Sequence, residues 1–242
     1  MSKSARERLR QERSLRARKE KRRRALLIGC IGLVVVAAVI TGVFVQANMS
    51  KATSFSGALA PVTVQQDGTV VMARPGVTAP VLDVYEDFQC PICKEFEHLN
   101  GAQIKQFAAE GKIKVVYHPL AFVNPQGSLR AAAAAQCVPG ASWMAFHDEL
   151  FAQQPDERVA LTIGDLKRFA AKAKITDPAV SSCIEAQGHA AQVRQLTQRT
   201  LASPDIQGTP TLLLDGRKLS DDQVFTSTGL RDALEAATGA QG

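Results

Sequence analysis

In the stretch DVYEDFQCPICKEFEHL, Asp83 to Leu99, two cysteines stand two residues apart directly after a β-rich run. A pair such as Cys90-Pro91-Ile92-Cys93 serves thiol–disulfide exchange, supplies half of a zinc site, or is merely two packed thiols, and spacing alone does not separate these. From Cys90 onward the pattern turns helical, so the first cysteine sits where a strand hands over to a helix N-terminus. Unpaired N–H groups and the helix dipole at that point favour thiolate over thiol. Cys90 is therefore expected to have a lowered pKa and to be the exposed nucleophile, with Cys93, one turn further in, its shielded resolving partner. Pro91 suits the first helical turn, where its missing N–H has no intrahelical use.

The other three cysteines are Cys30, Cys137 and Cys183. A structural zinc centre needs four ligands, and no second closely spaced pair of Cys or His accompanies CPIC. His98, His118, His147 and His189 are scattered and read as surface or hydrogen-bonded histidines. No metal and no cofactor are called for.

Compartment decides how thiols behave, and residues 1–45 bear on it. Residues 1–24 carry twelve Lys/Arg against three Glu, a net of +9, so the remaining 17 basic and 20 acidic residues are net −3. The basic character belongs to a tail. Residues 25–45, ALLIGCIGLVVVAAVITGVFV, are 21 residues without a charge, long enough for a membrane-spanning helix. An uncleaved anchor fits better than a cleaved signal peptide, which has a shorter apolar core and a small-residue cleavage site. With Lys21, Arg22, Arg23 and Arg24 at one end and Lys51 near the other, the positive-inside bias puts residues 1–24 in the cytoplasm and everything after Gln46 outside the cell membrane. The tail then reads as a topology signal, and nucleic-acid binding falls away. Leu27-Ile28-Gly29-Cys30 looks like a lipoprotein box, but only five apolar residues precede Cys30, which reads as a membrane residue. Outside the cytoplasm, the even remainder of Cys137 and Cys183 invites a disulfide.

Beyond a linker at 46–61, the elements that must position CPIC can be read from periodicity. VTVQQDGTVVM, 62–72, has two β-rich runs about an Asp67-Gly68 turn. VLDVY, 81–85, is a strand with Leu82 and Val84 on one face, and after it Phe96, Leu99, Ile104 and Phe107 recur at helical spacing up to a stop at Gly111. KIKVVYHPLAF, 112–122, reads as a strand ended by Pro119. Helices follow near 128–138, 141–153, 162–174, 177–187 and 189–202, with a capping box at Thr162-x-x-Asp165. TPTLLLDGRKL, 209–219, is a strand with a turn at Asp215-Gly216, and TGLRDALEAAT a last helix. Strand, helix, strand, helical block, strand and helix make an α/β fold with a helical insertion at about 124–203.

YEDFQCPICKEFE, followed much later by Gly208-Thr209-Pro210-Thr211, resembles the DsbA-like extracytoplasmic thiol–disulfide oxidoreductases of the thioredoxin fold, especially the membrane-anchored actinobacterial members. The likeness covers about residues 62–238 and implies a DsbA-like thioredoxin-fold domain over 62–242. By that resemblance, Pro210 is a cis-proline facing the redox pair, and Thr209 and Pro210 hold an incoming peptide by β-like backbone contacts. Related anchored members carry a second disulfide in the helical insertion, a role that suits Cys137 and Cys183. Pro91 and Ile92 tune the redox pair. Strongly oxidising members have a histidine where Ile92 stands, so a milder oxidant is implied. Family members often have a buried acid six residues before the first cysteine as proton acceptor. Here that position is Val84; Asp83 and Glu86 flank it, each equally readable as a solvated charge.

The resemblance implies an enzyme that oxidises cysteine pairs in exported proteins and is reoxidised by a quinone-linked membrane partner of the DsbB or VKOR kind. An isomerase or reductase kept reduced by another membrane partner stands second. Residues 46–80 are too short for the separate dimerisation domain of known isomerases, and a monomer is expected. A peptide-binding chaperone module that keeps CPIC as a structural disulfide is the reading from a different class.

Overall fold

The computed structural model describes residues 55–239. The basic tail, the apolar stretch at 25–45, Cys30 and most of the linker lie outside the described residues. Among the described residues no helix is long and apolar enough to cross a membrane.

A short hairpin, β1 (Val62–Val64) and β2 (Val70–Met72), leads into strand β3 (Val81–Glu86), the long helix α1 (Pro91–Ala109) and strand β4 (Lys114–Pro119). Five helices follow: α2 (Gly127–Gln136), α3 (Gly140–Ala152), α4 (Ile163–Lys172), α5 (Pro178–Ala186) and α6 (Ala190–Leu201). The chain then returns through β5 (Thr211–Leu214) and β6 (Arg217–Lys218) to α7 (Asp221–Val224) and α8 (Ser227–Gly239). The six strands form one mixed sheet in the order β1-β2-β4-β3-β5-β6. β3 pairs parallel with β4, Leu82 opposite Val115, and antiparallel with β5, Leu82 opposite Leu214. The strand that feeds the cysteine pair is thus central. Its parallel neighbour requires a crossover, and α1 is that crossover.

β3 and β4 both alternate between half-buried and buried residues, the signature of a strand with one face sealed. Leu82, Val84 and Glu86 share the sealed face of β3, as Val115 and Tyr117 do on β4. The turn from β5 to β6 places Asp215 and Gly216 in succession at positive φ, 49° and 78°, the backbone that a two-residue hairpin requires.

The helical block is organised around α2. Ala131 to Ala135 are fully buried, so α2 has no solvent face along that run, and α3, α4, α5 and α6 all pack on it. Five consecutive alanines let several helices approach one axis closely. The capping box of α4 is present, with the Thr162 hydroxyl accepting from the Asp165 N–H.

Two details differ from the sequence expectations. Leu99 is 37% exposed, while Cys93, Phe96, Glu97, Asn100, Ile104 and Phe107 line the inner face of α1. That set obeys the three-and-four spacing better than one containing Leu99, and it admits two polar residues that hydropathy alone rejects. The helix α7 has only four residues, too few to show a period; its sequence signal is the capping box of Ser220 with Gln223.

Candidate functional site

Where β3 ends, three residues turn the chain into α1, and each is held from elsewhere. The buried Asp87 carboxylate accepts from the Gln89 N–H at 2.8 Å and from the Phe122 and Val123 N–H groups at 2.7 and 2.8 Å. The Gln89 side chain donates to Val159 O at 2.9 Å and accepts from the Leu161 N–H at 2.9 Å. Gln154, just past α3, donates to the carbonyls of Phe88 and Cys90 at 2.9 and 3.0 Å. The polar residues of this turn are therefore spent on fixing the loops around the cysteines.

Cys90 is the N-cap of α1 in an extended conformation, its side chain makes no capping bond, and Pro91 follows at the first helical position. Both cysteines are free thiols. Hydrogen bonding from the Cys93 thiol lowers the Cys90 pKa to about 6 against the effect of burial, and the N–H of Cys93, the Thr209 side chain and the N–H of Ile92 act in the same direction. Ile92 thus contributes through its backbone, while its side chain is 54% exposed. Cys93 is fully buried, and burial, followed by the neighbouring Cys90 sulfur, pushes its thiol well above the ordinary cysteine range. The expectation of an exposed Cys90 needs correcting. Its relative exposure is 4%, because the cis-proline loop stands over it.

That loop begins β5. The Thr209–Pro210 peptide bond is cis, and the Cys90 thiol donates to the Thr209 carbonyl at 3.3 Å. The structure therefore brings Cys90, Cys93, Pro91, Ile92, Thr209 and Pro210 together from α1 and β5. Cys137 and Cys183 lie apart from them. They are joined as a disulfide between the C-cap of α2 and the second turn of α5. An open groove of about 680 Å³ runs beside the cysteines, lined by Pro91, Ile92, Lys94, Gln154, Pro155 and Arg158. Phe122 and Val159, whose backbones are bound by Asp87 and Gln89, are 45% and 57% exposed.

A family model described as thioredoxin matches residues 76–236. The chain belongs to that thioredoxin family. Its fold is that of the DsbA-like thiol–disulfide oxidoreductases. BdbD from Bacillus subtilis superposes with a TM-score of 0.63 at 22% identity, over 76% of this chain and 100% of that one. DsbA from Mycobacterium tuberculosis, oxidised, gives 0.58 at 26% identity over 74% and 93%. The disulfide bond oxidoreductase DsbG of the same organism gives 0.59 at 25% over 79% and 92%. In sequence, the serine/threonine-protein kinase PknE of Mycobacterium tuberculosis is 29% identical over 162 residues, 61% of this chain. The chain spans only 28% of that kinase's length.

Within this thioredoxin-family site, the two acids flanking Val84 part company. Asp83 points away from the sealed face and meets His118 at 2.8 Å. Glu86 is fully buried on the face that carries Leu82 and Val84, with Oε1 3.0 Å from His147 Nε2. Sequence reasoning missed Asp87, Gln89, Glu97, His147 and Gln154. The available signal for Glu86 was the period of two, which puts it on the same face as Val84.

Proposed function

We infer that this protein introduces disulfides into exported proteins by exchange at Cys90 and Cys93. The observation that carries the reading is the division between the two sulfurs: Cys90 at about pKa 6 beside the cis-Pro210 loop, and Cys93 sealed behind it with its pKa raised. In the oxidised form a client thiolate attacks Cys90 Sγ, and the electrons of the broken S–S bond leave on Cys93. The client's second thiolate then attacks its own sulfur in the mixed disulfide and releases Cys90 as a stabilised thiolate. The client is oxidised by two electrons and the CPIC pair is reduced by two.

Clients are extended peptides held against Thr209 and Pro210, with Ile92, Phe122 and Val159 offering apolar contact around the sulfur. A membrane reoxidase linked to quinone, of the DsbB or VKOR kind, returns the pair to the disulfide. The protein works as a monomer, anchored by residues 25–45, with its catalytic domain outside the cell membrane. The charge asymmetry about that stretch supports this placement. Protease added to intact cells should then remove everything after Gln46 and spare a tag on the tail; protection of that portion would overturn it.

An isomerase or reductase kept reduced in the cell is the second reading, favoured by Thr209 before the cis-proline. Oxidation of a dithiol peptide and reduction of insulin distinguish the three possibilities. An oxidase forms the peptide disulfide stoichiometrically and needs reoxidation to continue, a reductase favours the insulin reaction, and a chaperone module does neither.

A further inference from the structure

The bridge between α2 and α5 has a third neighbour that the exchange chemistry does not use. Cys137 Sγ, Cys183 Sγ and one ring nitrogen of His189 all lie within 4.8 Å of one another, and all three residues are half-buried, within reach of small solutes. They come from different elements: Cys137 is the C-cap of α2, Cys183 stands in the second turn of α5, and His189 is the N-cap of α6. The backbone fixes their placement. Between Cys183 and His189 the chain closes a left-handed C-cap at Gln187, φ 50°, with the Gly188 N–H donating to the Cys183 carbonyl at 3.3 Å and the Gln187 N–H to the Ile184 carbonyl at 3.2 Å. Gly188 has no side chain to cover the Cys183 sulfur, which lies 3.7 Å from where a Cβ would stand.

The imidazole is oriented as a ligand. His189 makes no side-chain capping bond at the start of α6. Its Nδ1 meets Gln192 Oε1 at 2.8 Å, while the Gln192 amide nitrogen donates to the Gln66 carbonyl at 2.6 Å. That second bond decides which end of the Gln192 amide faces the ring: the oxygen does, so Nδ1 carries the proton and Nε2 the lone pair. An imidazole with one nitrogen donating to an oxygen and the other unprotonated is the form that binds metal ions. A bridge alone accounts for two of the three groups; the oriented ring beside it points to a ligand set. Two thiolates and a neutral imidazole suit a thiophilic d¹⁰ cation. Zn–S bonds of about 2.3 Å and Zn–N bonds of about 2.0–2.1 Å put tetrahedral ligand atoms roughly 3.5–3.8 Å apart, inside the radius these atoms already share.

We propose that Cys137, Cys183 and His189 form a Zn²⁺ site when the bridge is open, so that α2, α5 and α6 are tied by a disulfide in one redox state and by a metal in the other. Opening takes two electrons from a dithiol, which becomes a disulfide itself. Zn²⁺ then displaces one proton from each freed thiol and binds both thiolates and the free imidazole nitrogen, leaving a fourth position to water. Closing by exchange with a disulfide oxidant passes two electrons to it and releases the ion. Thiols not yet joined in a newly made chain present the same donor set.

None of these ligands belongs to the CPIC site, so the metal site stands or falls apart from the exchange reading. The test uses the full-length protein carrying Cys30→Ser, Cys90→Ser and Cys93→Ser, in which Cys137 and Cys183 are the remaining thiols. The bridge is opened anaerobically with a phosphine, the reductant is removed, and Co²⁺ is added as a spectroscopic stand-in before Zn²⁺ is titrated against a chromophoric chelator. One equivalent of Co²⁺ with thiolate charge-transfer and tetrahedral d–d absorption is expected, displaced by Zn²⁺, with neither band in protein whose bridge is closed. His189→Gln should lower Zn²⁺ affinity at least about tenfold, since loss of even an outer-shell partner costs that much, while the bridge still forms on reoxidation. Absence of the charge-transfer bands, or unchanged Zn²⁺ affinity in His189→Gln, overturns the site. Should opening the bridge unfold the chain, Zn²⁺ is expected to restore its far-ultraviolet circular dichroism, and to fail to do so in His189→Gln. No recovery with Zn²⁺, or equal recovery in the variant, overturns the site as well.

Discussion

A thiol with its pKa lowered to about 6 is mostly thiolate at neutral pH, and at Cys90 the stabilisation comes from a neighbouring thiol, backbone N–H groups and Thr209. The alkylation rate of reduced Cys90 by iodoacetamide should rise with pH through a midpoint near 6 and then level off. An ordinary cysteine would still be gaining at pH 8, since its midpoint is about 8.5. A midpoint at that ordinary value would remove the basis for the nucleophile's selection. Ile92→His places a hydrogen-bonding ring beside the sulfur and should move the midpoint lower. At this scale the CPIC pair and the Gly208-Thr209-Pro210-Thr211 run are legible because their content is spacing within one segment. Glu97, His147 and Gln154 are not. Each is an ordinary polar residue on a helix, and its meaning depends on which other element ends up against it.

At the scale of elements, the alternation in β3 and β4 and the helical spacing after Cys90 are readable because one face of each is sealed. Leu99 shows the limit: hydropathy places it inward, but the inner face of α1 also takes in Glu97 and Asn100, the latter donating to the Val224 carbonyl, and polar residues of this kind are not placed inside by hydropathy. The bridge between α2 and α5 is separate from exchange chemistry, and its contribution should be separable too. Closing the 46-residue separation between Cys137 and Cys183 stabilises by roughly 4 kcal/mol in the chain-entropy description. The double substitution Cys137→Ala with Cys183→Ala should lower unfolding free energy by about that much while exchange at Cys90 stays within about twofold. Loss of exchange in a still-folded variant would place that bridge in the catalytic machinery instead.

For the whole molecule, the order of strand and helix patterns in the sequence is enough to give an α/β fold with a helical insertion. It does not give the sheet order β1-β2-β4-β3-β5-β6, because pairing between distant strands is written in no single segment. That order makes β3 central and brings β5, with its cis-proline, over a helix N-terminus more than a hundred residues earlier in the chain. The consequence is thermodynamic. Stabilising the Cys90 thiolate stabilises the reduced protein, which makes its disulfide an oxidant, while the lack of a side-chain donor at Ile92 moderates the effect. Equilibration of the full-length protein with glutathione buffers of known ratio measures this directly, with the Cys90–Cys93 pair quantified by alkylation and mass. A potential above that of thioredoxin and below that of the strongest oxidants, roughly between −270 and −120 mV, is expected. A value at or below about −270 mV would contradict the oxidase reading and put a reductase or isomerase in its place.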